Sequence, residues 1–178
     1  HGCIYCFARP TQAYHDLSPG LDFETRLFAK PDAPALLRAE LSKPSYNVSP
    51  IAMGTNTDPY QPIERDWKIT RQCIEILVEC SHPLFITTKS DRVLRDIDLL
   101  TRLARDRLVA VMVSVTTLDP KVARTLEPRA AHPLRRVEAI RQLASAGVPV
   151  VASISPIIPA ITDHEIESII ETVASGGA

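Results

Sequence analysis

The chain has 178 residues, of which 45% are apolar and 23% charged, enough for one globular domain with a hydrophobic core. Its net charge of −1 excludes a general electrostatic attraction to nucleic acid or to a membrane surface. No apolar run is long enough to span a membrane, and four unevenly spaced cysteines do not suit a disulfide-stapled secreted fold, so we expect a cytoplasmic protein without a membrane partner.

The first third of the chain predicts a loop, a helix and a strand. Residues 9–31 are predicted as a loop with a short extended piece near residues 27–29. Residues 32–41 are predicted as a helix, with Asp32 as a cap and Pro34 in the first turn. Residues 47–54 are a candidate strand that runs into the polar loop TNTDPYQPIE.

The rest of the chain alternates between short apolar runs and helices with one apolar stripe. Strands are predicted at residues 83–89, 108–115 and 148–159. Helices are predicted at residues 65–80, 91–106 after a Ser90 cap, 132–147 ending at Gly147, and 163–174 after a capping box from Thr162 to Glu165.

Four strands, each followed by a helix, predict right-handed βαβ units and a parallel sheet, an α/β fold. The pattern favours a barrel segment over a dinucleotide-binding fold, because no G-x-G-x-x-G follows a strand. In such barrels the chemistry lies where the strands end. Here those ends are polar and rich in hydroxyls: residues 54–58, 87–90, 114–117 and 153–156. Small polar residues also cap helices, and for any single loop that alternative has equal weight.

Two cysteines, Cys3 and Cys6, form a C-x-x-C pair ahead of the first predicted element. Such a pair can be half of a zinc site, a redox couple or part of an iron–sulfur ligand set. His1 and His15 could complete a zinc site, although no second C-x-x-C is present. The motif alone leaves the zinc and cluster interpretations open.

HGCIYCFARPT resembles the end of the radical S-adenosylmethionine (SAM) signature C-x-x-x-C-x-x-C, in which an aromatic residue precedes the last cysteine. LSPGLDFE, GTNTDPYQPIE, ITTKS, SVTTLD and PIIPAITDHEI more narrowly resemble the subgroup related to spore photoproduct lyase, also described as DNA-repair photolyase-like. The resemblance covers essentially the whole chain. It implies a partial (βα)6 TIM-like barrel, of which this chain holds about four parallel strands and their helices.

The resemblance also implies the chemistry. In this superfamily three cysteine thiolates bind three irons of a [4Fe–4S] cluster, and SAM chelates the fourth iron. Reductive cleavage of SAM yields a 5′-deoxyadenosyl radical that abstracts hydrogen from a substrate. We therefore expect a radical SAM enzyme in which Cys3 and Cys6 are metal ligands. Its external one-electron donor would be a protein such as flavodoxin or ferredoxin.

The residues that would contact SAM follow from the same resemblance. Tyr5 matches the aromatic residue near the adenine. Lys89 and Ser114 match the positions that hold the SAM carboxylate, a role that suits an ammonium and a hydroxyl. The first strand end would receive the methionine amino group through Gly54, Thr55, Asn56, Thr57 and Asp58.

Later positions are implied less directly. Thr116 is a candidate for the ribose. Glu127 and Arg129 follow the strand after which the wider superfamily often has further cofactor contacts. Ser155 and Ile157, from the last strand, would flank the adenine.

The resemblance is incomplete at both ends. The first cysteine of the signature would lie two residues before His1, and the first strand and the last βα unit of the barrel are missing. We therefore expect residues 1–178 to be a fragment of a longer radical SAM domain. Without the third thiolate, the cysteine segment is predicted to be displaced from the strand ends.

Two alternatives remain. A nucleic-acid lesion repair lyase of the spore photoproduct lyase type is disfavoured, because the hydrogen-donating cysteine of that enzyme has no counterpart in residues 47–58 and no basic stripe is present. Nucleic acid stays among the candidate substrates, which the sequence does not assign. The other alternative is a non-enzymatic, zinc-stabilised domain.

Overall fold

The computed structural model describes residues 2–178. Within them the strands are β1 (Ile51–Met53), β2 (Leu84–Thr88), β3 (Val109–Ser114) and β4 (Val150–Ser153). The helices are α1 (Leu21–Thr25), α2 (Ala33–Leu41), α3 (Glu64–Trp67), α4 (Ile69–Glu79), α5 (Ile97–Arg105), α6 (Pro120–Leu126), α7 (Pro133–Ser145) and α8 (Ile166–Ser175). Three 3-10 segments add Arg9–His15, Asp91–Asp96 and Asp163–Glu165. In residues 2–178, no helix has the length and apolar character needed to cross a membrane.

The four strands form one parallel sheet in the order β1-β2-β3-β4, which confirms the predicted α/β fold. Leu84 of β2 pairs with Val109 of β3, and Ser114 of β3 pairs with Ser153 of β4. Each strand is linked to the next through helix, as parallel pairing requires. The register brings the carboxyl ends of the strands to one edge of the sheet.

The core lies between the sheet and the longer helices. β2 and β3 alternate between buried and half-buried positions, and Ile86, Val111 and Val113 have no exposed surface. Helices α4, α5, α7 and α8 each bury an apolar stripe against them, which includes Ile74, Leu77, Leu100, Ile140, Leu143 and Ile169. Burial of these stripes holds the helices in place, because it removes apolar area from water.

The segment predicted as a long loop has more structure than its sequence indicated. Residues 9–31 contain the 3-10 segment Arg9–His15 and the helix α1. Neither element is long enough to show helical periodicity. The Asp32 cap is also not formed, since its side chain makes no capping hydrogen bond to α2.

The helix predicted at residues 65–80 is divided into α3 and α4. Lys68 separates them with φ of 52°, a left-handed conformation that ends the first helix. The buried Glu64 carboxylate accepts the backbone N–H of Thr70 at 2.7 Å, which satisfies a donor in the first turn of α4. Tertiary contacts thus override a continuous helical pattern.

One helix was missed and one predicted cap is wrong. Helix α6 begins at Pro120 after Asp119, whose carboxylate accepts the N–H groups of Lys121 and Val122, the usual sequence of a helix start. The capping box at Thr162 is absent, because the Glu165 carboxylate accepts the Thr117 hydroxyl at 2.5 Å instead. The Ser90 cap is confirmed by its bond from the Arg92 N–H at 3.2 Å.

Candidate functional site

The carboxyl ends of β1, β2 and β3 open into a cavity of about 730 Å³, a size usual for a small-molecule site. Asn56, Lys89 and Ser114 share this cavity, as their positions after the strands predicted. Its lining includes most of the predicted cofactor-binding residues and both metal candidates: Cys3, Cys6, Gly54, Thr55, Asn56, Thr57, Asp58, Lys89, Ser114 and Arg129.

The cysteine segment is packed against these strand ends, so the prediction that it is displaced is wrong. Cys3 is buried and Cys6 half-buried, and the N–H of Cys6 donates to the Cys3 carbonyl at 3.2 Å, which closes a tight turn. The Ile4 N–H donates to the Leu126 carbonyl at 3.0 Å and attaches this turn to the end of α6. Burial, and then the charge of Glu127, raises the pKa of the Cys3 thiol.

Arg9 forms hydrogen bonds that hold the cysteine turn in place. Its guanidinium donates to the carbonyls of Cys3 at 3.0 Å and Gly2 at 3.2 Å, and to the Glu24 carboxylate at 3.0 Å. Glu24 in turn pairs with Arg129, from the loop after α6. Hydrogen bonds from these two arginines lower the pKa of Glu24. Three segments of chain therefore meet at one carboxylate on the rim of the cavity.

The loop after β1 is held by Asp58. Its carboxylate accepts the Thr88 hydroxyl at 2.9 Å, the Lys89 N–H at 2.8 Å and the Tyr60 N–H at 2.9 Å. Burial raises the pKa of this carboxyl above its ordinary value, and the three donors oppose that change. Asp58 thus ties the first strand end to the second.

Lys89 and Ser114 lie at the ends of the two central strands. Ser114 is buried and lines the cavity. The Lys89 ammonium lies 4.0 Å from the Glu127 carboxylate and 5.8 Å from the centre of the Tyr5 ring. An ammonium and a hydroxyl at this edge can bind an anionic group.

Below them is a buried carboxylate, Glu127, that is only 2% exposed. It accepts hydrogen bonds from Tyr5, from Thr116 at 2.9 Å and from Arg136 at 2.5 Å. Burial, followed by the charge of Glu127, raises the pKa of the Tyr5 phenol. The structure therefore places Glu127 and Thr116 in a side-chain network beneath the cavity, outside its lining.

Residues 7–28 contribute both aromatic and polar side chains to the cavity lining, among them Phe7, Tyr14, Phe23, Thr11, Gln12 and Arg26. The His15 and Phe28 rings stack with their centres 4.5 Å apart. Phe7 and Tyr14 are 75% and 88% exposed, although both line the cavity. The aromatic rings among these side chains offer flat apolar faces to the cavity.

Of the predicted cofactor-binding residues, five are absent from the cavity lining: Tyr5, Thr116, Glu127, Ser155 and Ile157. Ser155 and Ile157 follow β4 and are exposed, and only the Ser155 carbonyl reaches the network, through Thr116 at 3.3 Å. Of the two histidines suggested for zinc, His15 stacks on Phe28, and His1 lies outside the described residues. In residues 2–178, no group of three or more histidine, cysteine or acidic side chains is arranged to hold a metal ion.

The sequence did not identify Arg9, Glu24 or Arg136. Arg136 could have been found from the sequence, because its spacing puts it on the same helical stripe as Ile140 and Leu143. The structure shows that it is 1% exposed. A charged residue on an apolar stripe requires a buried partner. Arg9 and Glu24 had no such signal, because they lie in a segment without periodicity.

The fold and this edge define an α/β protein of the partial TIM-barrel class, with a cysteine turn against the strand ends. The chain matches the sequence profile of the Radical SAM superfamily over residues 1–173, and it belongs to that superfamily.

Several curated proteins are similar in sequence. Uncharacterized protein Rv2578c of Mycobacterium tuberculosis is 36% identical over 180 residues, which cover 100% of this chain and 53% of that protein. Uncharacterized protein MJ0683 of Methanocaldococcus jannaschii is 29% identical over 165 residues, 93% of this chain and 59% of that protein. The chain thus spans about half the length of the curated relatives it matches.

Solved structures of spore photoproduct lyase have the same fold. One mutant with bound AdoMet and dinucleoside spore photoproduct aligns with a TM-score of 0.70 and 17% identity, over 98% of this chain and 48% of that one. The complex with dinucleoside spore photoproduct aligns with a TM-score of 0.66 and 16% identity, over 97% and 48% of the two chains.

Proposed function

We propose that this chain forms the SAM-binding part of a radical SAM enzyme, with Cys3 and Cys6 as ligands of a [4Fe–4S] cluster. One observation carries the proposal: the cysteine turn and the polar ends of three parallel strands line the same cavity. A zinc-stabilised domain would not need such strand ends. The substrate is unassigned, and the electron is expected from an external donor such as flavodoxin or ferredoxin.

The residues present fit the cofactors. Two thiols on one tight turn are the donor type that iron–sulfur clusters use. The spacing of the superfamily signature would put a third cysteine two residues before His1. When bound, the cluster supplies the electron that cleaves SAM. The protein must orient SAM next to the cysteine turn and keep water away from it.

The strand ends would orient SAM by its methionine part. The Lys89 ammonium and the Ser114 hydroxyl would bind the carboxylate, while residues 54–57, which line the same cavity, would receive the amino group. Asp58 contributes by holding this loop against Lys89. The aromatic side chains of residues 7–28 line the same cavity and would contribute apolar contacts to a bound cofactor.

Cluster assembly tests the metal assignment. The full-length protein that contains this chain should turn brown on anaerobic reconstitution with iron and sulfide, with the absorption and EPR spectra of a [4Fe–4S] cluster. Cys3→Ser and Cys6→Ser should each lose the cluster. Cys80→Ser is the matched control, because Cys80 is an exposed thiol at the end of α4. A colourless protein that binds zinc would overturn the proposal.

SAM affinity tests the strand ends. Lys89→Ala and Ser114→Ala should weaken SAM binding to the cluster-loaded protein roughly ten- to a hundredfold, the effect of about 1.5–3 kcal/mol for a charge-assisted hydrogen bond. Their iron content should stay that of the parent protein. Lys121→Ala, on the exposed face of α6, is the control for loss of a positive charge. Equal binding by all four proteins would show that these residues only cap helices.

Repair of a nucleic-acid lesion has weaker support. Similarity to spore photoproduct lyase structures at 16–17% identity shows the fold alone. Cys3 and Cys6 are the only thiols lining the cavity in residues 2–178, and both are assigned to the cluster.

A further inference from the structure

The two residues between the cysteines are both bonded to the end of α6. The Ile4 N–H donates to the Leu126 carbonyl at 3.0 Å, and the Tyr5 hydroxyl donates to the Glu127 carboxylate. Adjacent residues of the cysteine turn therefore bind adjacent residues of a different segment. The position of the turn is set by this pair of contacts, one from the backbone and one from a side chain.

The acceptor of the side-chain contact is itself fixed. The Glu127 carboxylate accepts a hydrogen bond from the Arg136 guanidinium at 2.5 Å. The same guanidinium donates to the carbonyls of Ser114 at 3.0 Å and Ala131 at 2.7 Å. Arg136 and Glu127 are 1% and 2% exposed. Rearranging this buried ion pair would be costly, because it would leave a buried charge without its partner.

The same carboxylate also faces the lysine of the cavity. Lys89 lies 4.0 Å from Glu127, on the side where Tyr5 approaches, and its ammonium faces the Tyr5 ring. One group thus contacts both the segment that carries the thiols and the side chain expected to hold the SAM carboxylate.

We propose that Glu127 is a positioning residue that sets the cysteine turn at a fixed distance from Lys89, and that the Tyr5 hydroxyl is the link through which it holds the turn. This inference rests on the proposed function, because it assumes that the cluster lies on the turn and SAM on Lys89. It assigns a role to the Tyr5 hydroxyl in addition to that of its ring.

Tyr5→Phe is the test, because it keeps the ring, the Glu127–Arg136 ion pair and Lys89. It removes the hydroxyl that donates to Glu127 and that also lies 3.4 Å from the Thr116 hydroxyl. In the full-length protein before cluster loading, amide hydrogen exchange over residues 3–6 should rise about tenfold, as loss of a bond to a charged acceptor implies. After loading, SAM affinity should fall roughly three- to tenfold. The thermal midpoint should match that of the control variant.

Tyr46→Phe is that control. The Tyr46 hydroxyl contacts His82 Nε2 at 2.8 Å, near the start of β2 and away from the strand ends, so its loss removes a comparable bond elsewhere. It should leave exchange over residues 3–6 and SAM affinity as in the parent protein.

The outcomes separate the two proposals. A parent protein that assembles no cluster or binds no SAM overturns the proposed function. A competent parent whose Tyr5→Phe variant shows unchanged exchange and unchanged SAM affinity overturns the role of the link alone. Equal changes in Tyr5→Phe and Tyr46→Phe would also overturn it, since they would reflect general loss of stability.

Discussion

Gly54 shows at the residue scale how the backbone shapes the cavity. Its φ is +95°, and a Cβ added there would lie 2.0 Å from the Thr87 carbonyl oxygen. The loop after β1 therefore passes directly over the end of β2, and only a residue without a side chain permits it. This close approach allows Asp58 to reach the Lys89 N–H.

Gly54→Ala should lower the free energy of unfolding by about 2–4 kcal/mol. The added methyl group would clash with the backbone of β2, and alanine is strained at a positive φ. Urea unfolding followed by circular dichroism measures the change. SAM binding should weaken as well, since the loop must move away from Lys89.

Gly147→Ala is the matched control for this prediction. Gly147 also has a positive φ, +78°, but a Cβ there meets nothing within 4 Å. Gly147→Ala should lower the free energy of unfolding by only about 1 kcal/mol, because alanine is strained at a positive φ but meets no steric clash there. Equal losses in the two variants would contradict the steric explanation.

At the scale of a single element, helix α4 carries two cysteines in different environments. Cys73 is 8% exposed and lies on the buried stripe with Ile74 and Leu77, while Cys80 is exposed at the end of the helix. Burial, with a smaller contribution from the charge of Glu64, raises the pKa of Cys73 from 9.0 to about 11. Both thiols lie outside the cavity lining, so they are packing and surface residues.

The Cys73 thiol should make stability depend on pH in the alkaline range. Below pH 9 the thiol is protonated in both states, and between about pH 9 and 11 the unfolded chain loses the proton first. The free energy of unfolding should therefore fall as pH rises through this window, by roughly 2–3 kcal/mol from this group.

Urea unfolding at pH 8 and at pH 11 measures the effect. Cys73→Ala should lose less stability between the two values than the parent protein does, whereas Cys80→Ala should follow the parent. A Cys73→Ala variant with the same pH dependence as the parent would show that other groups cause the loss.

At the scale of the whole molecule, the Glu127–Arg136 pair joins distant parts of the chain. Arg136 on α7 donates a hydrogen bond to the Ser114 carbonyl of β3. Glu127 accepts a hydrogen bond from Tyr5 of the cysteine segment. The pair lies beneath the cavity, so the fold and the site depend on the same contact.

Arg136→Met should lower the free energy of unfolding by about 3–5 kcal/mol, because Glu127 would remain as a buried unpaired charge. The double variant Arg136→Met with Glu127→Gln should be less damaged, since the neutral amide can still accept from Tyr5 and Thr116. Denaturant unfolding of all three proteins measures the difference.

Arg141→Met is the control on the same helix. Arg141 pairs with Glu138 on the exposed side of α7, where an ion pair contributes less than about 1 kcal/mol.

The double variant Arg136→Met with Glu127→Gln could instead be as unstable as Arg136→Met alone. That result would show that lost packing, and not an unpaired charge, causes the loss of stability.

The alternating pattern of the chain was sufficient to predict the sheet. Apolar β-branched runs such as residues 108–115, separated by striped helices, specify buried parallel strands, and the structure has them in sequential order. Parallel strands must end at one edge, so the shared position of Asn56, Lys89 and Ser114 also followed from local signals. The 3-10 segment and the helix α1 within residues 9–31 were not predicted, because such short helical turns have no periodicity.

The sequence by itself determined the fold class, the polar strand ends and the thiol pair, since each depends on local composition or on order along the chain. Only the tertiary structure shows the hydrogen-bond partners of Glu127 and Asp58, for which the family resemblance implies cofactor contacts. Glu127 accepts from Tyr5 and Arg136, and Asp58 accepts from Thr88 and Lys89. The partner of a buried charge is fixed by which segments meet in space, and these segments lie far apart in the chain.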